Sequence, residues 1–157
     1  MTEPEVELDM TDHDAHMRTA LEQARIAEAA GDHPYGSVIT GPQGTIVARN
    51  LVESTQDVTA HAELAAVRAA NADWGLDLSG ATLITSFEPC AMCVGAILNS
   101  GIRHLVIAVS SVPGIEAPGA YSVESLLDLV GLRGDVIVER GVLGDEAAVY
   151  YSGIAAA

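Results

Sequence analysis

The chain contains no lysine. Its seven cationic side chains are all arginine, set against 22 acidic residues, for a net charge of −15 over 157 residues. A polyanion is held by clustered Lys and Arg that displace its counterions. Arg18, Arg25, Arg49, Arg68, Arg103, Arg133 and Arg140 are scattered along the sequence, so nucleic acid is an unfavoured partner. The acidity reads as a solubility device and not as a signature for a particular cationic partner. Cysteine is nearly absent too: Cys90 and Cys93 are the only two. They cannot build a disulfide framework, and a bridge between them would close a very small loop with little gain in stability. Free thiols fit a reducing cytoplasm, which is the expected location. No uninterrupted apolar run is long enough to cross a bilayer, so no membrane association is expected. The acidic stretch Met1–Met10 lacks the basic-then-apolar order of a signal peptide.

What is present suits one folded domain. The residues are 49% apolar, and the chain is long enough to bury a proper core. Residues 1–12 carry Glu3, Glu5, Glu7, Asp9 and Asp12 and read as an acidic flexible lead-in to a single domain over 13–157. Leu21, Ala24 and Ala27 share one face of a helix running from about Asp14 to Ala30, which Gly31 ends. Gly41-Pro42-Gln43-Gly44 separates strands at 36–40 and 45–50, the pattern of a hairpin. Helices are then expected from His61 to about Trp74, from Pro89 to Asn99, over 122–130 and from Gly144 to about Tyr151. Strands are expected over 81–86, 103–109 and 135–139, and 110–120, with two Pro-Gly pairs, is a loop. This order predicts an α/β fold: a mixed five-stranded sheet with helices on both faces.

His61-Ala62-Glu63 and Pro89-Cys90-Ala91-Met92-Cys93 carry the chemistry. One imidazole and two thiols make three zinc ligands. Three protein ligands with a fourth position left for water is the catalytic arrangement, whereas structural sites are usually closed by four. Cys90 and Cys93 are three apart and share a helical face, and a helix N-terminus stabilises thiolates. Glu63, two residues past the histidine, is placed to move protons for the water. A purely structural zinc would need a fourth ligand, with His13, His16, His33 and His104 available in principle, and would leave Glu63 without a role. The expected cofactor is one Zn²⁺ per chain.

With these residues in view, the chain resembles the cytidine/deoxycytidylate deaminase superfamily, in the branch of guanine deaminase, cytosine deaminase and bacterial tRNA adenosine deaminase. The resemblance runs from about residue 16 to 145 and rests on Pro34-Tyr35-Gly36-Ser37-Val38, on Asn50, on Thr59-Ala60-His61-Ala62-Glu63 and on Glu88-Pro89-Cys90-Ala91-Met92-Cys93-Val94-Gly95-Ala96-Ile97. It implies a three-layer α/β/α fold, zinc on His61, Cys90 and Cys93, proton shuttling by Glu63, and a homodimer or higher assembly. The substrate-binding residues it implies are Asn50, Ala62, Tyr35, Gly36, Phe87, Glu88 and Glu116. Several have a second reading. Asn50 can end a strand, Glu88 can brace the metal loop, Tyr35 and Phe87 can be core aromatics, and Glu116 can be a solvated loop carboxylate. Trp74 reads as a packing residue and His104 as a surface one. The stretch Ser110-Ser111-Val112-Pro113-Gly114-Ile115-Glu116 departs from the Asp-Ala-Lys-type loop of the tRNA enzymes. The expectation is therefore a hydrolytic deaminase of a small amino-heterocycle, a guanine- or cytosine-like base or an amino-triazine. A tRNA adenosine or nucleoside deaminase is the alternative.

Overall fold

The computed structural model describes residues 12–157; the acidic segment expected over 1–12 lies outside the described residues apart from Asp12. Five strands form one sheet in the order β2-β1-β3-β4-β5. They are β1 (Gly36–Gly41), β2 (Gly44–Arg49), β3 (Thr82–Phe87), β4 (His104–Val109) and β5 (Ile137–Arg140). β1 pairs antiparallel with both β2 and β3, while β3–β4 and β4–β5 are parallel, so the sheet is mixed. Every residue of β1 is buried, as its position between β2 and β3 and under helices on both faces demands.

Two apolar clusters occupy the two faces. One joins Ile39, Leu83, Leu105 and Ile107 of the sheet to Ala66, Val67 and Ala70 of α3 (Ala62–Trp74), Val94 and Ile97 of α4 (Ala91–Asn99), and Val123 and Leu127 of α5 (Val123–Leu129). The other joins Val38, Ile84, Val106 and Ala108 to Met17, Ala20 and Leu21 of α1 (His13–Ala29) and Ala147 and Tyr151 of α6 (Gly144–Ala155). Alternate residues of β1, β3 and β4 serve opposite clusters, as the period of two requires. The fold is the three-layer α/β/α arrangement expected, and Trp74 packs on the first cluster.

The differences are local. A one-turn helix, α2 (Val52–Thr55), follows Asn50 where no element was expected. It forms because Asp32 accepts hydrogen bonds from Ser54 N (2.7 Å) and Ser54 Oγ (2.5 Å), and Asn50 Oδ1 accepts from Val52 N (3.0 Å). The Asn50 bond is local and side chain to backbone, while the Asp32 bonds reach across 22 residues; together they hold a turn too short to stand alone. α4 begins two residues later than expected, so Pro89 precedes the helix cap and does not sit in the first turn. His104 is not a surface residue: its side chain is about three-quarters covered, facing Glu139 and the start of α1.

Candidate active site

His61 and Cys90 are the N-caps of α3 and α4, with extended backbone angles (φ −66°, ψ 155° and φ −71°, ψ 170°). Neither side chain makes a capping hydrogen bond to its own helix; each turns toward the other instead. Two helix starts thus converge, and Cys93, three residues further on, adds its sulfur from inside α4. His61 Nδ1 lies 3.5 Å from Cys90 Sγ and 3.5 Å from Cys93 Sγ. Donors about 2.3 Å (sulfur) and about 2.0–2.1 Å (nitrogen) from one tetrahedral ion stand about 3.5 Å apart. The donor set therefore fits zinc in both chemistry and spacing. Without a cation the cluster redistributes protons. Cys90 is pulled down to about 4, first by the hydrogen bond from Cys93 and then by His61, while Cys93 is pushed up by retaining the shared proton beside the Cys90 thiolate and by burial. The Cys90 thiolate also holds the His61 imidazole above its ordinary value. A divalent cation replaces these protons.

Glu63, in the first turn of α3, is buried. Its carboxylate accepts a hydrogen bond from Thr85 Oγ1 at 2.8 Å, and Thr85 Oγ1 in turn accepts one from Ser37 Oγ at 3.0 Å. Burial raises the Glu63 carboxyl above the usual carboxylate range, against the smaller opposing pull of the Thr85 hydroxyl. A group so raised exchanges protons nearer to neutral pH.

A cavity of about 540 Å³ opens over these groups, with Tyr35, Phe87, Met92, Ile115, Pro118 and Tyr121 forming its apolar wall. The expected residues divide. Tyr35, His61, Glu63, Phe87, Glu88, Cys90 and Glu116 line it; Asn50, Ala62, Gly36 and the fully buried Cys93 do not. Asn50 is buried beside the site with Oδ1 committed to Val52 N. Ala62 is fully buried under the turn that separates His61 from Glu63. Gly36 serves the packing of α1 on β1: a Cβ there would lie 2.0 Å from Ala20 O. Glu88 lines the cavity, yet its carboxylate is held by both Arg140 Nη atoms (2.5 and 2.8 Å) and by Val123 N (2.9 Å). It ties the Pro89–Cys90 turn to α5 and β5. Tyr35 and Phe87 pack against Tyr151 of α6, with ring centroids 5.8 and 5.0 Å away.

Several contributors were invisible in the sequence. Tyr121 and Met92 line the cavity, and the Tyr121 hydroxyl donates to Pro89 O at 2.5 Å. The Tyr151 hydroxyl donates to Pro34 O (2.7 Å) and accepts from Ser86 Oγ (2.8 Å), bracing the aromatic wall from behind. No local pattern marks Arg140 or Tyr151; each reaches the site across more than 50 residues of sequence. Thr85 was foreseeable only as an inward-facing polar residue in an otherwise apolar strand.

Residues 10–109 match the cytidine and deoxycytidylate deaminase zinc-binding region, and the chain belongs to this family. The His61, Cys90 and Cys93 cluster is the candidate for the zinc site that this family carries. Among its relatives, the tRNA-specific adenosine deaminase of Haemophilus influenzae is 43% identical over 97 residues, covering 60% of this chain and 56% of that one. A probable cytosine deaminase of Schizosaccharomyces pombe is 40% identical over 105 residues, 62% of this chain and 60% of that one. The structure of a guanine deaminase from Nitrosomonas europaea superposes with a TM-score of 0.76 at 30% identity, covering 92% of this chain and 85% of that one. The chain spans only 21%, 23% and 56% of the length of three of the curated relatives it matches.

Proposed function

We propose that the protein is a zinc-dependent hydrolytic deaminase of a small amino-heterocycle, a guanine- or cytosine-like free base. The observation that carries the reading is a buried Glu63 lining an apolar cavity beside the three-donor cluster. When bound to His61, Cys90 and Cys93, zinc supplies the Lewis acidity that makes water a nucleophile near neutral pH. Glu63 takes the proton that the attacking water loses and returns it to the amine that leaves as ammonia; its burial suits it to both directions. Thr85 aims the carboxylate. Tyr35 and Phe87 offer ring faces to a flat substrate, Glu116 an acceptor to a ring N–H, and Asn50 the amide that Val52 does not occupy. Glu88 keeps Cys90 in place. The reading includes a homodimer, tested by light scattering of the purified protein.

A small substrate is favoured by charge. No arginine lines the cavity, while Glu63, Glu88 and Glu116 do. Arg140 is engaged by Glu88 and Glu124, Arg133 by Asp128, and Arg68 stands 3.8 Å from Asp57. A −15 surface repels a polyanion, and few cations are left to offset that. The relationship to the tRNA-specific enzyme of Haemophilus influenzae supports the second reading, adenosine-to-inosine editing of tRNA. The deciding experiment measures ammonia release from guanine, cytosine, adenine, their nucleosides and amino-triazines against inosine formation in anticodon stem-loops at low salt. Turnover of a free base is expected. Editing of the RNA with no turnover of any base or triazine selects the second reading.

A further inference from the structure

A second group of metal-ligating side chains stands apart from the cavity. His13 at the start of α1, His104 at the start of β4 and Glu139 in β5 each offer one donor atom, all within 4.8 Å of one another. They come from three elements brought together on the α1/α6 side of the sheet. Glu139 takes one histidine on each oxygen: His13 Nδ1 lies 2.7 Å from Oε2, and His104 Nε2 lies 3.2 Å from Oε1. The His13 contact is an ordinary hydrogen bond.

The His104 contact is not. His104 Nδ1 lies 3.3 Å from Thr82 Oγ1, on the neighbouring strand in register with it. With Nδ1–H donating to Thr82, Nε2 presents a bare lone pair to a carboxylate oxygen. Two lone pairs at that distance repel unless a cation lies between them. A proton on Nε2 is poorly aimed, because that nitrogen is buried and makes no hydrogen bond of acceptable geometry among the described residues. A metal ion has no such requirement of collinearity with one acceptor. The arrangement also has the outer partner that metal-binding histidines carry, a hydrogen bond on the opposite ring nitrogen.

We propose that His13, His104 and Glu139 form a second metal site, selective for a borderline divalent cation such as Zn²⁺ or Ni²⁺. Two imidazoles and one carboxylate suit such ions better than Mg²⁺ or Ca²⁺, which ask for oxygen donors. Donors about 2.0–2.2 Å from one ion stand about 3 Å apart. The observed 2.7 and 3.2 Å contacts bracket that separation, so small side-chain rotations admit the ion. The three side chains are 17%, 27% and 41% exposed, which leaves a path for entry and room for water ligands. A bound ion would clamp the first turn of α1 to the β4–β5 edge of the sheet, far from Glu63 in the chain's connectivity.

The test begins with protein carrying one zinc per chain, titrated with Ni²⁺ by calorimetry and followed by thermal melting. One further equivalent should bind, raise Tm and produce no thiolate-to-metal charge-transfer band, which Ni²⁺ in the cysteine site would show. His104→Ala and, independently, Glu139→Gln should weaken this binding by more than about 100-fold, the upper end for losing even an outer partner. Both should keep one zinc per chain, which shows that they fold. His13→Asn gives a third check at a helix start that tolerates substitution. No second equivalent in the wild type overturns the proposal. So does a second equivalent whose affinity is unchanged in His104→Ala.

Discussion

The Thr85 hydroxyl donates to the Glu63 carboxylate at 2.8 Å, deep in the protein, and is itself met by Ser37. This bond fixes one oxygen of Glu63, a residue that lines the cavity. Thr85→Val keeps the shape of the side chain and removes the donor. We expect kcat to fall by about tenfold or more, in line with the loss of a charge-assisted hydrogen bond worth about 1.5–3 kcal/mol. Zinc content should be unchanged, and Thr85→Ser should recover most of the activity. Steady-state kinetics with metal analysis of all three proteins checks this; a Thr85→Ser variant no better than Thr85→Val would remove Thr85 from the positioning role.

Glu63 and Cys90 lie at the same site and should fail differently. Glu63→Gln leaves all three metal donors in place, so zinc stays at one per chain while activity drops at least about 10²-fold, the usual scale for losing a general acid–base group. Cys90→Ser removes one of the three candidate metal donors, so zinc and activity should be lost together. Atomic absorption on the two variants, measured alongside ammonia release, separates the proton-transfer role from the ligand role. Retained turnover in Glu63→Gln would dismiss the first.

What the sequence conveyed follows from the range of each signal. The His61 and Cys90 motifs are local. Each sits at a helix start whose capping geometry is set within a few residues, so spacing alone exposed both. The sheet was legible for the same reason, because Val38, Ile84 and Val106 alternate with residues of the opposite face. The rest depends on distance. Arg140 meets Glu88 across 52 residues, and Tyr151 reaches Ser86 across 65. Neither partnership leaves a mark in either segment. α2 was missed because four residues give no periodicity, and its cap comes from Asp32, 22 residues away. His104 read as exposed because no signal in β4 announces that Glu139 will stand beside it.

Gly36 carries a constraint that its place in the Pro-x-Gly motif only hinted at. A methyl group there would meet Ala20 O at 2.0 Å, Gln23 Cβ at 2.7 Å and Ala24 N at 2.9 Å, and two of these are backbone atoms that cannot rotate aside. Gly36→Ala must push α1 away from β1, on the order of 1–3 kcal/mol or more for overpacking a well-filled interface. The neighbouring Tyr35, which lines the cavity, moves with it. A clear drop in Tm, together with a raised KM, is the expected outcome of thermal melting and kinetics. An unchanged Tm would mean that α1 yields at no cost.

Asp32 offers a test of linkage away from the metal. The Ser54 hydroxyl and backbone N–H both donate to its carboxylate and hold it below the usual value of 3.8. The native protein therefore binds a proton at Asp32 less readily than the unfolded chain does. Stability from this carboxylate is complete above the unfolded value and is withdrawn as pH falls through the native one. Asp32→Asn cannot make the same pair of acceptor contacts and should be less stable than wild type at pH 7. The gap should close as pH drops below about 4. Urea unfolding of both proteins at pH 7, 5, 4 and 3, with zinc content monitored throughout, measures this difference directly. Because α2 hangs on Asp32 and begins two residues past Asn50, the variant should also raise KM before it lowers kcat. A stability gap that stays constant down to pH 3 would show that Asp32 titrates normally and that α2 is held by other contacts.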